Sequence, residues 1–297
     1  GDIDGDGDLE IAGGCTSGWE TQVFDHAGSF VWRYPVPPFF YDWWHGSPAM
    51  CDVYPEVPGL EVIAVRYSAG MVYCFDKNGN VLWTFVTGGT GVDASPACGD
   101  VDGDGDVEIV IGATDIFGTI YCLNGRTGAV EWANQAPACV NRQVHSSAAL
   151  ADIDNDGIIE VIVGRNDGGV YCLTGTTGAQ EWVFGTNAAV QSSPAVGDVD
   201  ADGTLEIIVG SLDGKVYCLN GLGGVWTLEW SYQTGGPVIS SAALANRGTT
   251  PGLGIYIGSK DGYLYVLDGI GNLVWNFNTG ATRGITSSPA VADIDGD

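Results

Sequence analysis

Positive charge is scarce in this chain of 297 residues: ten Lys and Arg stand against 37 Asp and Glu, for a formal net charge of −27. Phosphate backbones are gripped by cationic side chains, so nucleic acid is not an expected partner. Anionic lipid surfaces are disfavoured for the same reason. No stretch of 18 apolar residues occurs, which excludes a membrane-spanning helix. Helical periodicity is missing too: no window of a dozen residues carries an apolar stripe at helical spacing.

What is present is apolar and rich in glycine. Hydrophobic residues make up 45%, the share of a folded chain rather than a disordered one. Gly accounts for 47 residues, roughly twice ordinary usage. The chain opens at Gly1 without an initiator Met or a signal peptide, so it reads as a mature protein or a piece of one. Its eight Cys are even in number, which is weak support for disulfides at this length.

Self-similarity organises the sequence. Gly-x-x-x-Trp recurs from Gly28 to Trp32, Gly79 to Trp83, Gly128 to Trp132, Gly178 to Trp182 and Gly271 to Trp275, with a stretched copy from Gly223 to Trp230. An apolar-Tyr-x-apolar unit recurs at Tyr73, Tyr121, Tyr171, Tyr217 and Tyr265. Ser47, Ser95, Ser147, Ser193, Ser241 and Ser288 each open a Ser-Pro-Ala or Ser-Ala-Ala step, spaced by about 48 residues. Within each period, short apolar runs alternate with Gly, Asp and Asn, which is strand-and-turn chemistry. Residues 94–134 read as four strands: Ala94 to Gly99, Val107 to Gly112, Thr119 to Leu123 and Ala129 to Ala133. Four strands per repeat predict an all-β β-propeller of four-stranded antiparallel blades, forming one domain over 1–297. Ile285 to Asp293 reads as a first strand that completes the N-terminal blade, for six blades in all. The closing Asp293-Ile294-Asp295-Gly296-Asp297 repeats the text of Asp2 to Asp6, as in a slice excised from a chain of seven or eight blades.

The turn after each first strand reads Asp-x-Asp-x-Asp-Gly-x-x-Glu in four copies. They are Asp2, Asp4, Asp6, Glu10; Asp100, Asp102, Asp104, Glu108; Asp152, Asp154, Asp156, Glu160; and Asp198, Asp200, Asp202, Glu206. Alternating carboxylates in a tight turn converge on one point, and Gly7, Gly105, Gly157 and Gly203 permit the reversal. The seventh position (Asp8, Asp106, Ile158, Thr204) is expected to offer its carbonyl, which frees its side chain to vary. Hard oxygens in a flexible loop suit Ca²⁺ better than Mg²⁺, and the turns contain no His or Cys for zinc or copper. About four structural Ca²⁺ ions are therefore expected. A catalytic metal would not be repeated blade after blade. Two periods lack the pattern: Asp52 to Glu61 carries an insertion, and Asn246-Arg247-Gly248 has no acidic set.

These residues carry a family resemblance. The acidic turn followed by Glu108-Ile109-Val110-Ile111-Gly112 resembles the calcium loop of FG-GAP (integrin-α-like) propellers. The segment from Tyr121 to Trp132 resembles the tryptophan-docking repeat of quinoprotein-like (PQQ-like) propellers. The resemblance implies that Trp32, Trp83, Trp132, Trp182, Trp230 and Trp275 pack between blades. The quinoprotein cofactor site uses a vicinal Cys-Cys pair and a basic side chain. This sequence has no Cys-Cys, and its Lys are limited to Lys77, Lys215 and Lys260, so PQQ-dependent dehydrogenase activity is a minor expectation.

Cys74, Cys122, Cys172 and Cys218 are equivalent positions, read as buried thiols because points on neighbouring blades lie beyond disulfide reach. Cys15, Cys51, Cys98 and Cys139 are not equivalent, and sequence alone does not pair them. A polar rim runs through His45, Asp93, His145, Gln191 and Thr286, with Ile239 between. His45, Asp93 and His145 are candidates for binding an ion or small polar ligand. The connection from Tyr34 to His45 gathers Phe39, Phe40, Tyr41, Trp43 and Trp44, and such aromatic loops mark protein or sugar contacts. Arg142, on a long loop expected at the same face, joins Tyr41, Trp43 and Trp44 as a ligand-binding candidate. The function expected from these features is a non-catalytic calcium-binding propeller, extracellular, at the cell surface or in the periplasm. It would serve adhesion, assembly, possible surface-fibre formation or binding of a protein or carbohydrate. The runner-up is a carbohydrate-active, polysaccharide lyase-like propeller.

Overall fold

The computed structural model describes residues 1–15, 20–35, 46–67, 70–88, 91–136, 142–248 and 251–292. Every regular element among them is a strand, and the strands form six antiparallel sheets. The first has three strands: β1 (Ile11–Cys15), β2 (Glu20–Phe24) and β3 (Phe30–Pro35). The other five have four strands each. They are β4 (Ala49–Cys51) to β7 (Val81–Val86); β8 (Ala97–Gly99), β9 (Glu108–Gly112), β10 (Ile120–Asn124) and β11 (Val130–Asn134); β12 (Ala149–Ala151), β13 (Glu160–Gly164), β14 (Gly169–Thr174) and β15 (Gln180–Gly185); β16 (Ala195–Gly197), β17 (Glu206–Gly210), β18 (Lys215–Asn220) and β19 (Thr227–Gln233); and β20 (Ala243–Asn246) to β23 (Leu273–Asn278). Sequential meanders of this size are propeller blades. The third blade matches the four strands expected between 94 and 134, its first strand being the shorter by three residues.

Burial explains the division of labour within a blade. The second strands are apolar without alternation, and β9, β13 and β17 are buried at all five positions, as strands covered on both faces must be. The fourth strands alternate, with one buried Trp between exposed neighbours in β7, β11 and β15. The last two strands slip register at one equivalent point in all six sheets, for instance between Cys122 and Leu123. A bulge there increases the twist and re-aims the strand carrying the Trp.

The chain packs as two compact units, Gly1–Leu150 with Gly175–Gly178, and Ala151–Thr174 with Ala179–Asp297. Within the first, each Trp ring lies on a glycine of the following repeat: Trp32 on Gly79, Trp83 on Gly128 and Trp132 on Gly178. The indole N–H of Trp83 donates to the carbonyl of Gly125 at 2.7 Å, and that of Trp132 to Gly175 at 2.6 Å. In the second unit Trp230 lies on Gly271 and donates to Gly269 at 2.8 Å. Trp182 is buried without a glycine platform, because the turn ahead of it is the stretched copy. Its strand neighbour Phe184 meets Trp226 of that turn edge to face. Trp275 departs from the expected burial and is 45% exposed.

A Cβ on Gly128 would lie 2.5 Å from the Trp83 ring, at φ +67°. Gly128→Ala should therefore cost about 2–5 kcal/mol through overpacking and backbone strain. Gly28→Ala, at φ +78° but with open space around it, should cost only the strain of about 1 kcal/mol. Urea unfolding of the two variants checks the difference.

Among the described residues the expected C-terminal strand carries no ladder. Residues 285–292 have no strand pairing and are largely exposed, and the first sheet keeps three strands. Residues 293–297 lie outside the described residues.

Candidate metal centres

The acidic turns are bent by their own carboxylates. In the third blade Asp100 accepts the N–H groups of Gly103 (2.8 Å) and Gly105 (3.1 Å), and Asp102 that of Asp104 (3.1 Å). Asp104 accepts that of Asp106 (2.8 Å). Asp2 grips Gly5 and Gly7 in the same way. Two positions per turn have positive φ. The sixth is always Gly, whereas the fourth is Gly5 or Gly103 in two turns and Asn155 (φ 67°) or Ala201 (φ 65°) in the others. Sequence reasoning identified only the sixth.

The glutamate at the ninth position locks the turn to its strand. Its Oε2 accepts the N–H of the second residue: Ile3 from Glu10 (2.7 Å), Val101 from Glu108 (2.9 Å), Ile153 from Glu160 (2.8 Å) and Val199 from Glu206 (2.8 Å). Each of these second residues is at most 2% exposed. The other oxygen of Glu108 is buried with no hydrogen-bond partner. Burial pushes Glu108, Glu160 and Glu206 up to about 7, and nearby Glu131, Glu181 and Glu229 and the aspartates of the turns add to the rise. A buried anionic oxygen facing carboxylates is costly unless a cation meets it.

Donor atoms converge in all four turns. Asp2, Asp4 and Asp6 form one cluster; Asp100, Asp102 and Glu108 the second; Asp152, Asp154 and Glu160 the third; Asp198, Asp200 and Glu206 the fourth. Within each, the donor atoms lie within 4.8 Å of one another. Asp104, Asp156 and Asp202 stand outside these clusters and cap the seventh residue's N–H, as Asp6 does from within the first. Glu10 is buried but outside the first cluster. At the seventh position Asp8 faces His26 at 3.3 Å and Asp106 accepts from Arg126 Nε at 3.1 Å. Ile158 offers only main chain. The Thr204 hydroxyl donates to Asp202 at 2.6 Å and lies 3.0 Å from Glu206, so that side chain is no bystander.

Arg126 went unnoticed in the sequence. Its guanidinium forks onto Glu56 at 2.9 and 3.0 Å while also reaching Asp106, and its carbonyl accepts the Tyr54 hydroxyl. Glu56 belongs to the turn that lost its pattern, yet Glu61 there still accepts the Val53 N–H at 3.0 Å. An arginine thus supplies positive charge to the turn that lacks a cluster.

Cys51 and Cys98 form a disulfide across Cα atoms 6.3 Å apart, the pairing sequence left open. Cys74, Cys122, Cys172 and Cys218 are free and fully buried, and burial raises their thiols. At the rim, His145 Nδ1 meets Asp93 at 2.6 Å, and Gln191 donates to Asn166 at 3.0 Å. Arg142 is half-buried, with its carbonyl against Gly118. Tyr41, Trp43, Trp44 and His45 lie outside the described residues, as does Cys139.

Residues 152–209, which span the third cluster and reach β17, match the model of the FG-GAP-like repeat. The matched stretch takes in the third and the fourth acidic clusters. The other acidic turns share its pattern at the same place in their blades. No curated protein matches the chain. Solved structures do. A europium-containing methanol dehydrogenase is 13% identical with a TM-score of 0.69, covering 91% of this chain and 67% of that one. BamB from Moraxella catarrhalis is 19% identical with a TM-score of 0.55, covering 98% and 90%. The V. cholerae biofilm matrix protein Bap1 is 24% identical with a TM-score of 0.58, covering 76% of this chain and 36% of Bap1. At these identities the likeness establishes the propeller fold alone.

Proposed function

We propose that the chain is a non-catalytic scaffold whose FG-GAP-like turns bind Ca²⁺, used outside the cytoplasm for adhesion, assembly or ligand binding. The observation that carries this reading is the buried, unpartnered oxygen of Glu108 facing Asp100 and Asp102. Oxygen-only donors in a flexible turn favour Ca²⁺. The ions act as staples, since each cluster repeats at the root of a blade. The Cys51–Cys98 bond supports an extracellular, surface or periplasmic setting, because such bonds persist in oxidising compartments. The likeness to a biofilm matrix protein is in keeping with a surface role. No helix among the described residues is long and apolar enough to cross a membrane. The aromatic connection around Tyr41, Trp43 and Trp44 is the proposed ligand face, for a protein or a carbohydrate.

A carbohydrate-active reading has one observation in its favour, the Asp93–His145 pair, in which a carboxylate orients an imidazole. PQQ-dependent oxidation has less, for want of the Cys-Cys pair and a basic side chain. Calorimetric titration tests the main proposal: about four Ca²⁺ should bind, Mg²⁺ should bind more weakly, and Glu108→Gln should remove one site while the far-UV spectrum stays unchanged. Absence of binding heat rejects it, as does turnover of acidic polysaccharides that disappears in His145→Ala.

A further inference from the structure

The last strand of every blade carries one residue that its neighbour skips. Cys122 pairs with Trp132 and Leu123 with Val130, so Glu131 is left out of the ladder. Glu181 and Glu229 are left out in the same way. The other three blades have Val31, Leu82 and Val274 at this point. The side chain of a bulge residue is aimed by the kink rather than by the pleat.

These side chains face the acidic turn of their own blade. Asn124, which pairs with Glu108 across the sheet, donates its amide to Glu131 Oε1 at 3.0 Å. In the fifth blade one amide serves both carboxylates: Asn220 Nδ2 lies 3.2 Å from Glu229 Oε1 and 3.5 Å from Glu206 Oε1. The second oxygen takes a buried thiol, with Cys122, Cys172 and Cys218 donating to Glu131, Glu181 and Glu229 at 3.9, 3.6 and 3.6 Å. Burial apart, these glutamates raise Glu108, Glu160 and Glu206 more than any aspartate of the turns does. In the first blade Val31 lines one cavity with Asp4, Asp6 and Glu10.

The residue type at the bulge follows the cluster. Glutamate stands there in the three blades whose ninth-position Glu converges with aspartates. Leu82 and Val274 belong to the two blades whose turns lack the pattern, and Val31 to the blade whose Glu10 lies outside its cluster. A further negative charge beside Glu108, which is fully buried with one oxygen unpartnered, is repulsive unless a cation answers it.

We propose that Glu131, Glu181 and Glu229 are outer carboxylates of the cation sites in the third, fourth and fifth blades. They lie behind the ligands, held by amide and thiol donors, and their charge sets the affinity of these sites and favours the more highly charged of two cations of equal size. The first turn, with Val31, is a weaker class of site. This inference rests on the Ca²⁺ reading given above.

The three glutamates are exposed on the outer strand, so water screens them, and their effect belongs at the low end of the about 10–100-fold typical of groups behind a ligand. Calorimetric titration compares the parent with the Glu131→Gln, Glu181→Gln, Glu229→Gln triple variant. The Ca²⁺ stoichiometry should stay at about four while three sites weaken about 10-fold. La³⁺ is close to Ca²⁺ in size and carries one more charge, so those sites should lose about 30-fold for it, because the energy of the missing charge scales with that of the cation. Without metal the variant should melt no lower than the parent, since the substitution relieves repulsion. Leu82→Gln, at the bulge of a blade without a cluster, should change none of these affinities. Unchanged affinity in the triple variant overturns the proposal. Equal losses for the two ions, or a lower metal-free melting temperature, overturn it by marking the glutamates as structural. Loss of three sites from the stoichiometry overturns it by making them direct ligands. A parent chain that binds no Ca²⁺ rejects the Ca²⁺ reading itself, whereas a binding parent with an unaltered variant rejects this inference alone.

Discussion

Chelation with EDTA should lower the melting temperature by about 20 °C or more, and added Ca²⁺ should restore it. A ligand held at about 100 times its dissociation constant adds about 2.7 kcal/mol to the state that binds it, so four occupied turns would add about 11 kcal/mol. Each kcal/mol moves the midpoint of a chain somewhat smaller than this one by about 2–4 °C. The pH dependence separates a metal effect from a general one. Glu108, Glu160 and Glu206 are raised from the ordinary 4.5 to about 7 by burial. Between those values the folded, metal-free chain holds protons that the unfolded chain has released. The stability these three groups contribute is therefore fullest below pH about 4.5 and is lost as pH rises towards 7. Ca²⁺ needs the ionised carboxylates, so its affinity rises across the same window. Melting curves with and without Ca²⁺ should converge near pH 5 and separate steadily up to pH 7.5. A gap that does not widen with pH, or no gap, means that the buried glutamates hold no cation.

Much of this architecture was legible because it is repeated. One blade's strands can be misplaced from periodicity alone, but six aligned copies of the Ser step and the Trp, and five of the Tyr unit, place the boundaries several times over. The third blade's second to fourth strands each lie within a residue of the reading from 107 to 133. The acidic turns were equally plain, since alternating carboxylates around a Gly have few other uses. Features that occur once were hidden. Arg126 reaches Glu56 from 70 residues away, and no local pattern announces a clamp made across blades. Which carboxylates converge was hidden for a different reason. Asp102 and Asp104 are alike in type and spacing and each accepts a backbone N–H, and only the fold shows that Asp102 alone also converges with Glu108. The strand expected from Ile285 onward is not paired over the described residues 285–292. The text of β16 is present at Ser288, but its ladder is not.

Removing the Cys51–Cys98 bond should cost about 4 kcal/mol, read as a lower urea midpoint for the Cys51→Ala, Cys98→Ala double variant. The two residues are 47 apart in sequence, and closing a loop of that size removes about this much free energy from the unfolded chain. The bond also acts where the sheets are weakest. β4 and β8 have only three residues each, so their ladders are short and the covalent link holds both first strands in place. Dithiothreitol should reproduce the variant's loss in the parent chain. Cys74, Cys122, Cys172 and Cys218 are buried and their thiols are raised, so they neither exchange nor compete. The effect should not simply add to that of chelation. Cys98 lies two residues before Asp100, the first residue of the third-blade turn, so freeing β8 should loosen that cluster and weaken its Ca²⁺. Reduction followed by EDTA should then cost less than the two treatments summed. Strict additivity would mean that the strand and the turn are held independently, and a parent chain indifferent to dithiothreitol would mean that the bond is not formed.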